Sequence, residues 1–236
     1  MTPAPVTENR SIGIGLLITA MFTMTAMDAA VKWAVADYSL QQVNFIRSIA
    51  AIAVLTPLLW KNGGLRALHT TRPWVHVWRA SLMLIISYTW FYALGRMKLA
   101  DIGAIVMVSP LMITALSAPL LGEKVGLRRW IAVGIGFAGM LTIVRPGAGV
   151  FQPVALLAVT VAFGYALLIL SNRANRAKES LAALTYYPLI GIFIVSGALT
   201  PLDWTQPTAG AWTAMVFIGV CAGIGHVCLT LAFRYA

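Results

Sequence analysis

The chain has 236 residues, 60% of them hydrophobic and only 10% charged, and its mean hydropathy is +0.84. About a quarter of the residues in a soluble domain are charged. The composition therefore excludes a soluble globular protein and predicts an all-α membrane protein without a sizeable soluble module. The net charge of +10 does not indicate a nucleic-acid partner, because the basic residues lie in short clusters between long apolar runs, as in the loops of membrane proteins.

Eight apolar runs are each long enough to cross about 30 Å of hydrocarbon. A backbone in lipid must satisfy its own hydrogen bonds, so these runs are predicted to be helices of a polytopic bundle of about eight transmembrane helices. The first run is long enough to be retained as a span rather than cleaved as a signal peptide. The predicted spans are roughly 12–31, 43–60, 74–95, 102–121, 127–144, 153–171, 183–200 and 209–233.

The distribution of Lys and Arg predicts the orientation. With the N-terminus in the cytoplasm, the inner segments hold 11 of these residues and the outer loops hold 4. Basic residues favour the cytoplasmic side of the membrane. We therefore expect residues 1–10 to form a cytoplasmic tail of a multi-pass protein of the bacterial inner membrane.

The first two spans contain Asp28 and Arg47 at similar predicted depths. An ionised group inside a span costs about 2.5–3.5 kcal/mol, so such residues usually have a role. Two interpretations are open: an ion pair that fastens the first hairpin, or a charge pair that faces a substrate cavity. Lys32, one turn beyond Asp28, is a second possible partner for the carboxylate.

In the third span, Ser81, Tyr88 and Tyr92 lie on one helical stripe. Two tyrosines and a serine would suit a cavity wall that contacts an aromatic or cationic substrate. Hydroxyl groups that are satisfied by packing against a neighbouring helix are the alternative. Trp90 differs from the other tryptophans, because it is the only one deep within a predicted span.

The fourth span contains Pro110 and Thr114 on the same side. Proline removes a backbone hydrogen bond and bends a helix, which leaves a carbonyl that must face protein or water. The bend could form a moving wall of a cavity or a static kink.

In the fifth span, Gly134, Gly136 and Gly139 spell G-x-G-x-x-G. The dinucleotide-binding motif requires a preceding strand and a helix start. These glycines lie in the middle of an apolar run, so they predict a helix-packing surface. No cofactor is expected.

The sixth and eighth spans carry Tyr165 and His226 as candidate cavity residues. His226 shares a face with Gly219 and Gly223, which predict a close helix neighbour. It could be a neutral side chain hydrogen-bonded between helices, or a group that couples transport to protons. No catalytic motif and no metal-spaced Cys/His cluster occurs in the sequence, so the chain is not predicted to be an enzyme or to bind a metal.

An internal repeat is visible at an offset of 141 residues, which aligns Phe22–Lys32 with Phe163–Arg173 and Phe45–Arg47 with Tyr186–Pro188. The predicted unit has five spans, in residues 11–147. Residues 148–236 would form a second copy that is truncated after three helices. Because five is odd, the second copy must be inverted, as in many secondary transporters.

The residues also resemble a known family. Ala100–Asp101, Ser109–Pro110, the Leu121–Gly122–Glu123 turn, Trp130 and Arg145–Pro146–Gly147 are similar to the fourth and fifth spans of EamA-type carriers, which belong to the drug/metabolite transporter superfamily. Two further segments, Asp28–Trp33 and Ala232–Ala236, are also similar to segments of these carriers. Within the superfamily, the combination is similar to bacterial carriers for S-adenosylmethionine uptake.

The resemblance implies a secondary active transporter that moves an amino-acid-like or S-adenosylmethionine-like metabolite through a central cavity by alternating access. A truncated, non-transporting membrane protein or subunit is the alternative. The expected partners are a small-molecule substrate and the lipid bilayer, and a homodimer is possible.

Overall fold

A computed structural model describes residues 10–61, 63–123, 125–144, 154–175 and 178–235, and its regular structure in these ranges is entirely helical. Short 3-10 helices cover Gly64–Leu68 and Thr200–Asp203. The α-helices are α1 (Arg10–Ala34), α2 (Leu40–Lys61), α3 (Pro73–Arg96), α4 (Leu99–Val106), α5 (Ser109–Leu121), α6 (Leu127–Val144), α7 (Val154–Asn175), α8 (Leu181–Leu199) and α9 (Ala209–Tyr235).

These helices confirm the predicted all-α membrane bundle. Seven segments of the described chain are long and apolar enough to cross a membrane, with α4 and α5 together forming one of them. The predicted fifth span, 127–144, has the bounds of α6 but is not among these seven. The total of about eight spans therefore stays a prediction. The N-terminal tail and the boundary between the predicted repeats at 147–148 lie outside the described residues.

The fourth predicted span is broken rather than bent, because α4 ends at Val106 and α5 begins at Ser109. Pro110 has no backbone N–H, so the carbonyl of Val106, four residues earlier, loses its helical donor. The hydroxyl of Ser109 donates to this carbonyl at 2.7 Å. The sequence correctly predicted the disturbance at Pro110, and the serine beside it satisfies the carbonyl that the proline leaves free.

The core is formed by α1, α2 and α3 together with α7, α8 and α9. Helix α1 packs on α9, α2 packs on α8 and α9, and α3 packs on α7 and α8. If α1, α2 and α3 are exchanged with α7, α8 and α9 respectively, this set of helix pairs is unchanged. The pattern is the one expected for two copies related by a two-fold axis, and the repeat itself stays a prediction.

Two glycines of α9 permit its close approach to α2. A Cβ atom at Gly219 would lie 2.5 Å from both the Ala50 Cβ and the Arg47 carbonyl oxygen, and one at Gly223 would lie 2.7 Å from the Val54 Cβ. The predicted close neighbour is thus confirmed as α2. In α6, a Cβ at Gly136 would clash with Leu111, whereas nothing described lies within 4 Å of such an atom at Gly134 or Gly139. Only one of the three α6 glycines therefore contacts another described helix.

Candidate functional site

Arg47 lies on α2 at the close contact with α9, and it is only 4% exposed. Its guanidinium group lies over the ring of Phe91, 5.1 Å from the ring centroid. Within the described ranges, none of the hydrogen bonds or ion pairs involves this guanidinium, and its Nε atom is fully buried without a partner. A buried cation without hydrogen-bond acceptors is costly.

Asp28, on α1, makes a different contact from the one expected. Its Oδ1 atom accepts a hydrogen bond from the indole Nε1 of Trp90 at 2.8 Å. Asp28 and Arg47 interact electrostatically, but neither of the two salt bridges in the described residues joins them. The expected direct ion pair is therefore not formed, because an indole N–H donates to one carboxylate oxygen while the guanidinium lies on an aromatic ring.

Lys32 does not pair with Asp28 either. Its Nζ atom donates to the carbonyl oxygens of Leu94 and Met97, at 2.7 and 2.6 Å. These carbonyls lie at the C-terminal end of α3, where the helix has no donors of its own to offer. Lys32 therefore stabilises a helix terminus, and the Asp28 carboxylate is left for another partner.

Tyr165 on α7 and His226 on α9 complete the site. Tyr165 interacts electrostatically with both Asp28 and Arg47, and His226 interacts with Arg47. Both side chains are half-buried, and no hydrogen bond from either ring's polar atoms is found in the described part of the chain. Four predicted candidates from four helices are thus close together. We call Asp28, Arg47, Tyr165 and His226 the polar cluster.

A further buried amide lies one helical turn before Arg47. The hydroxyl of Ser87 donates to Oδ1 of Asn44 at 2.7 Å, and the Nδ2 atom of Asn44 has no partner among the described residues. Asn44 is fully buried. The same face of α2 therefore presents two buried nitrogen donors without acceptors.

The other four predicted candidates are not joined to the polar cluster by any contact found in the described ranges. The hydroxyl of Tyr88 shares a 2.9 Å hydrogen bond with Ser196 of α8. Tyr92 is 40% exposed, and its ring lies 3.6 Å from the Arg96 guanidinium. Pro110 is exposed, and Thr114 donates to its carbonyl within α5 at 2.9 Å.

Trp90, Phe91 and Asn44 contribute to the site, although the sequence did not single them out as candidates. Trp90 had a usable signal, since it was the only tryptophan predicted deep within a span. Phe91 and Asn44 had none, because an apolar residue and a lone amide are ordinary components of a membrane helix. Only the packing of α2 against α3 shows that Phe91 lies beside Arg47 and that Ser87 donates to Asn44.

A second buried arginine, Arg79, is held mainly by the fold, although its Nε atom has no hydrogen-bond partner among the described residues. Its Nη2 atom donates to the carbonyl oxygen of Leu184 at 2.7 Å, and its Nη1 atom lies 3.4 Å from the Ser171 hydroxyl. Pro188, four residues after Leu184, cannot supply the usual helical donor to that carbonyl. Arg79 therefore donates to the carbonyl that Pro188 leaves without a helical donor, whereas no hydrogen bond from Arg47 to a backbone carbonyl is found in the described residues.

Near Arg79, the side chains of His76 and Glu179 form a buried pair. The His76 Nε2 atom lies 3.1 Å from Glu179 Oε2, and the two side chains are 2% and 1% exposed. Thr70 donates to the other carboxylate oxygen at 3.0 Å. Burial acts to raise the pKa of Glu179, but the hydrogen bonds from His76 and Thr70 outweigh it and hold the pKa below its ordinary value.

Two loop contacts occur at equivalent positions of the predicted repeats. Ser39 donates to the carbonyl oxygen of Asp203 at 3.1 Å, and Ser180 donates to that of Ala67. The two serines are 141 residues apart, which is the offset of the predicted repeat. Each contact joins a loop of one predicted repeat to a loop of the other. We call them the Ser39 contact and the Ser180 contact.

Further hydrogen bonds reinforce each contact. At the Ser39 contact, the Gln42 side chain donates to the Thr205 carbonyl at 2.7 Å and accepts from the Thr205 amide at 3.1 Å. At the Ser180 contact, the Tyr187 hydroxyl donates to the carbonyl of Leu68 at 3.0 Å. Helix α2 separates the two contacts. Its 22 residues span about 33 Å at 1.5 Å per residue, so the contacts lie at opposite ends of the bundle.

A groove of about 490 Å³ also opens between α3, α5 and α7. Its lining is mainly apolar and includes Trp74 and Trp78, which are 80% and 56% exposed. Exposed tryptophans at the end of a membrane helix are typical of the lipid interface. The groove therefore has the character of a lipid-facing surface, and none of the residues of the polar cluster lines it.

Comparison with known proteins agrees with the resemblance found in the sequence. Residues 11–145 match the model of the EamA-like transporter family. An S-adenosylmethionine uptake transporter of Rickettsia bellii is 27% identical over 94% of this chain and 76% of its own length. A riboflavin transporter of Vibrio cholerae is 28% identical over 93% and 75%, and a pseudopaline exporter of Pseudomonas aeruginosa is 29% identical over 94% and 78%. No solved structure matches the chain.

Proposed function

Because this chain belongs to the EamA-like transporter family, we propose that it is a secondary active carrier that works by alternating access. The relatives named above are transporters or exporters of small metabolites, and this chain is a multi-pass membrane transporter of the same kind. We place it in the bacterial inner membrane with a cytoplasmic N-terminus, as the distribution of Lys and Arg predicts.

The buried Arg47 guanidinium is the observation that carries this proposal. Keeping an ionised group in a membrane helix costs about 2.5–3.5 kcal/mol, and the Nε atom of this one is buried without a hydrogen-bond partner among the described residues. It lies among side chains from α1, α2, α7 and α9, which belong to both predicted repeats. Inverted-repeat carriers bind substrate between their two halves. The polar cluster is therefore our proposed substrate site.

The Ser39 and Ser180 contacts support alternating access. Each joins loops of the two predicted repeats, and the two contacts lie at opposite ends of α2. Opening one contact while the other stays closed would connect the polar cluster to one side of the membrane only. The two-fold pattern of helix pairs means that the same movement could open either end.

The relatives support a proposal for the substrate class. S-adenosylmethionine and amino-acid-like metabolites are the proposed substrates, in agreement with the name of the Rickettsia bellii relative. Riboflavin and pseudopaline, named for the other relatives, are the comparison compounds that a substrate panel must include.

The test is counterflow in vesicles. The purified chain would be reconstituted into liposomes preloaded with one unlabelled compound, and uptake of the same labelled compound would be followed against protein-free liposomes. We expect at least one metabolite of the panel to exchange. Binding of a metabolite without any exchange would support a non-transporting subunit, and the carrier proposal would then be wrong.

A further inference from the structure

Two buried nitrogen atoms of α2 have no hydrogen-bond acceptor in the described fold, and they indicate the kind of chemical group that the site would bind. We propose that Arg47 and Asn44 bind the carboxylate of an α-amino-acid head group, and that Asp28 binds its ammonium group. This inference rests on the proposed function and names the part of the substrate that the polar cluster recognises.

Two nitrogen donors on α2 support this assignment. The Arg47 Nε and the Asn44 Nδ2 atoms are both buried and without partners in the described part of the chain. They lie three residues apart on α2, so their side chains share one face of the helix. A buried donor without an acceptor destabilises the folded protein, because its interaction with water is lost and not replaced. A ligand oxygen at this position would remove that destabilisation for both donors.

The geometry of Arg47 favours a planar anion. Its guanidinium carbon lies 5.1 Å from the centroid of the Phe91 ring, and none of the hydrogen bonds found among the described residues involves its N–H groups. A carboxylate can accept two of these parallel hydrogen bonds, an arrangement that is stronger and more specific than a single contact. The guanidinium of Arg79, by contrast, already donates to a backbone carbonyl.

The charge of the site favours a zwitterion over a simple anion. A carboxylate bound to Arg47 would leave the nearby Asp28 carboxylate uncompensated in a low-dielectric setting. Trp90 donates to only one Asp28 oxygen, and Lys32 is held by the carbonyls of Leu94 and Met97. An ammonium group beside the ligand's carboxylate would neutralise Asp28. Both charges of the site and both charges of the ligand would then be paired.

The experiment compares matched ligands on the full chain. Thermal stabilisation and counterflow would be measured with S-adenosylmethionine against its decarboxylated form, with methionine against methioninol, and with riboflavin, which has neither a carboxylate nor an ammonium group. We expect the carboxylate-bearing member of at least one pair to bind about tenfold more tightly or better than its partner, because a site built to bond a polar group discriminates strongly against its loss.

Variants then assign the discrimination to Arg47. In Arg47→Gln, the preference for the carboxylate should fall to within about twofold, while Arg47→Lys should keep part of it because the charge remains but the planar fork does not. The wild-type comparison needs no variant, so the inference stays testable if Arg47→Gln fails to fold.

Two results would overturn the inference. If riboflavin or the decarboxylated compounds bind and exchange as well as their carboxylate partners, the head-group assignment is wrong while the carrier function stands. If no compound of a broad metabolite panel binds or exchanges, the carrier proposal fails together with it.

Discussion

The guanidinium of Arg79 donates to the backbone carbonyl of Leu184 at 2.7 Å, and that carbonyl is the one left without a helical donor by Pro188. The contact joins α3 to α8 through a defect in the α8 helix. Arg79 is 2% exposed, so its burial depends on this acceptor and on Ser171.

Removal of Arg79 should therefore destabilise the protein in a way that depends on Pro188. Arg79→Met leaves the buried Leu184 carbonyl unsatisfied, which should cost about 1–3 kcal/mol of unfolding free energy. Pro188→Ala supplies an amide donor within α8, so the cost of Arg79→Met should be smaller in that background. A double-mutant cycle of thermal unfolding in detergent measures the coupling. Equal costs in both backgrounds would show that the carbonyl does not depend on Arg79.

The His76–Glu179 pair predicts a dependence of stability on pH. A carboxylate whose pKa is lowered by folding stabilises the folded state above its unfolded pKa of about 4.3, and the contribution is lost as the pH falls through the lower folded value. The difference in thermal stability between wild type and Glu179→Gln should thus shrink as the pH falls below about 4. The depressed pKa comes from the hydrogen bonds of His76 and Thr70, which outweigh burial.

A matched variant checks the origin of this effect. His76→Gln keeps a donor near the carboxylate but removes the ring that could carry a positive charge. It should retain part of the pH-dependent difference. If Glu179→Gln instead shows a difference that grows towards low pH, the direction of the pKa shift is wrong.

Much of the fold could be predicted from the sequence because lipid imposes a simple rule. Apolar runs must become helices, and the predicted bounds 43–60, 74–95 and 209–233 lie within a few residues of α2, α3 and α9. The break at Met107 and Val108 was less predictable. Pro110 predicted a lost hydrogen bond. The break in the helix also depends on Ser109, whose short side chain donates to the carbonyl that the proline leaves free.

The candidate site was only partly predictable, for a different physical reason. The cost of burying a charge identified Asp28 and Arg47 as unusual, and the structure places both with Tyr165 and His226. The sequence could not tell which partners these charges would find. Asp28 accepts a hydrogen bond from Trp90, and Lys32 donates to carbonyls at the C-terminal end of α3. Which of these contacts forms depends on how the helices pack.

The two serine contacts predict cross-links that stop transport. In a background with Cys221 and Cys228 replaced by alanine, the pairs Ser39→Cys with Asp203→Cys and Ser180→Cys with Ala67→Cys should each form a disulfide on oxidation. Each cross-link holds one end of the bundle closed, so counterflow should fall to the background of protein-free vesicles and recover with a reductant. The four single-cysteine variants are the controls. Full flux through a completely cross-linked protein would exclude that contact as a gate.

The orientation can be tested independently of transport. A reporter that is active only outside the cytoplasm, fused after Asp203, should be active, and the same reporter fused after Lys178 should be silent. These sites lie at opposite ends of α8, so the two fusions must give opposite signals. Activity at Lys178 together with silence at Asp203 would reverse the orientation that Lys and Arg predict.

The contact between Trp90 and Asp28 separates a binding role of Asp28 from a purely structural one. Asp28→Asn keeps the shape of the side chain and an acceptor for the indole, but it removes the negative charge that we expect a substrate ammonium group to meet. Its counterflow rate should fall about tenfold or more, with thermal stability changed by less than about 1 kcal/mol, because one hydrogen bond is retained. Asp101→Asn is the matched control, since Asp101 is exposed in the first turn of α4 and should lose less than about twofold.

Trp90→Phe gives the complementary measurement. It keeps an aromatic ring and the Asp28 charge but removes the indole N–H, so the carboxylate is no longer oriented. The Michaelis constant for the transported metabolite should rise several-fold, while the maximal rate falls less than in Asp28→Asn.

Exchange of Asp28 and Arg47 should not rescue the single changes, because the two side chains do not form a direct ion pair. Full activity in both Asp28→Asn and Trp90→Phe would reduce this contact to a structural link between α1 and α3.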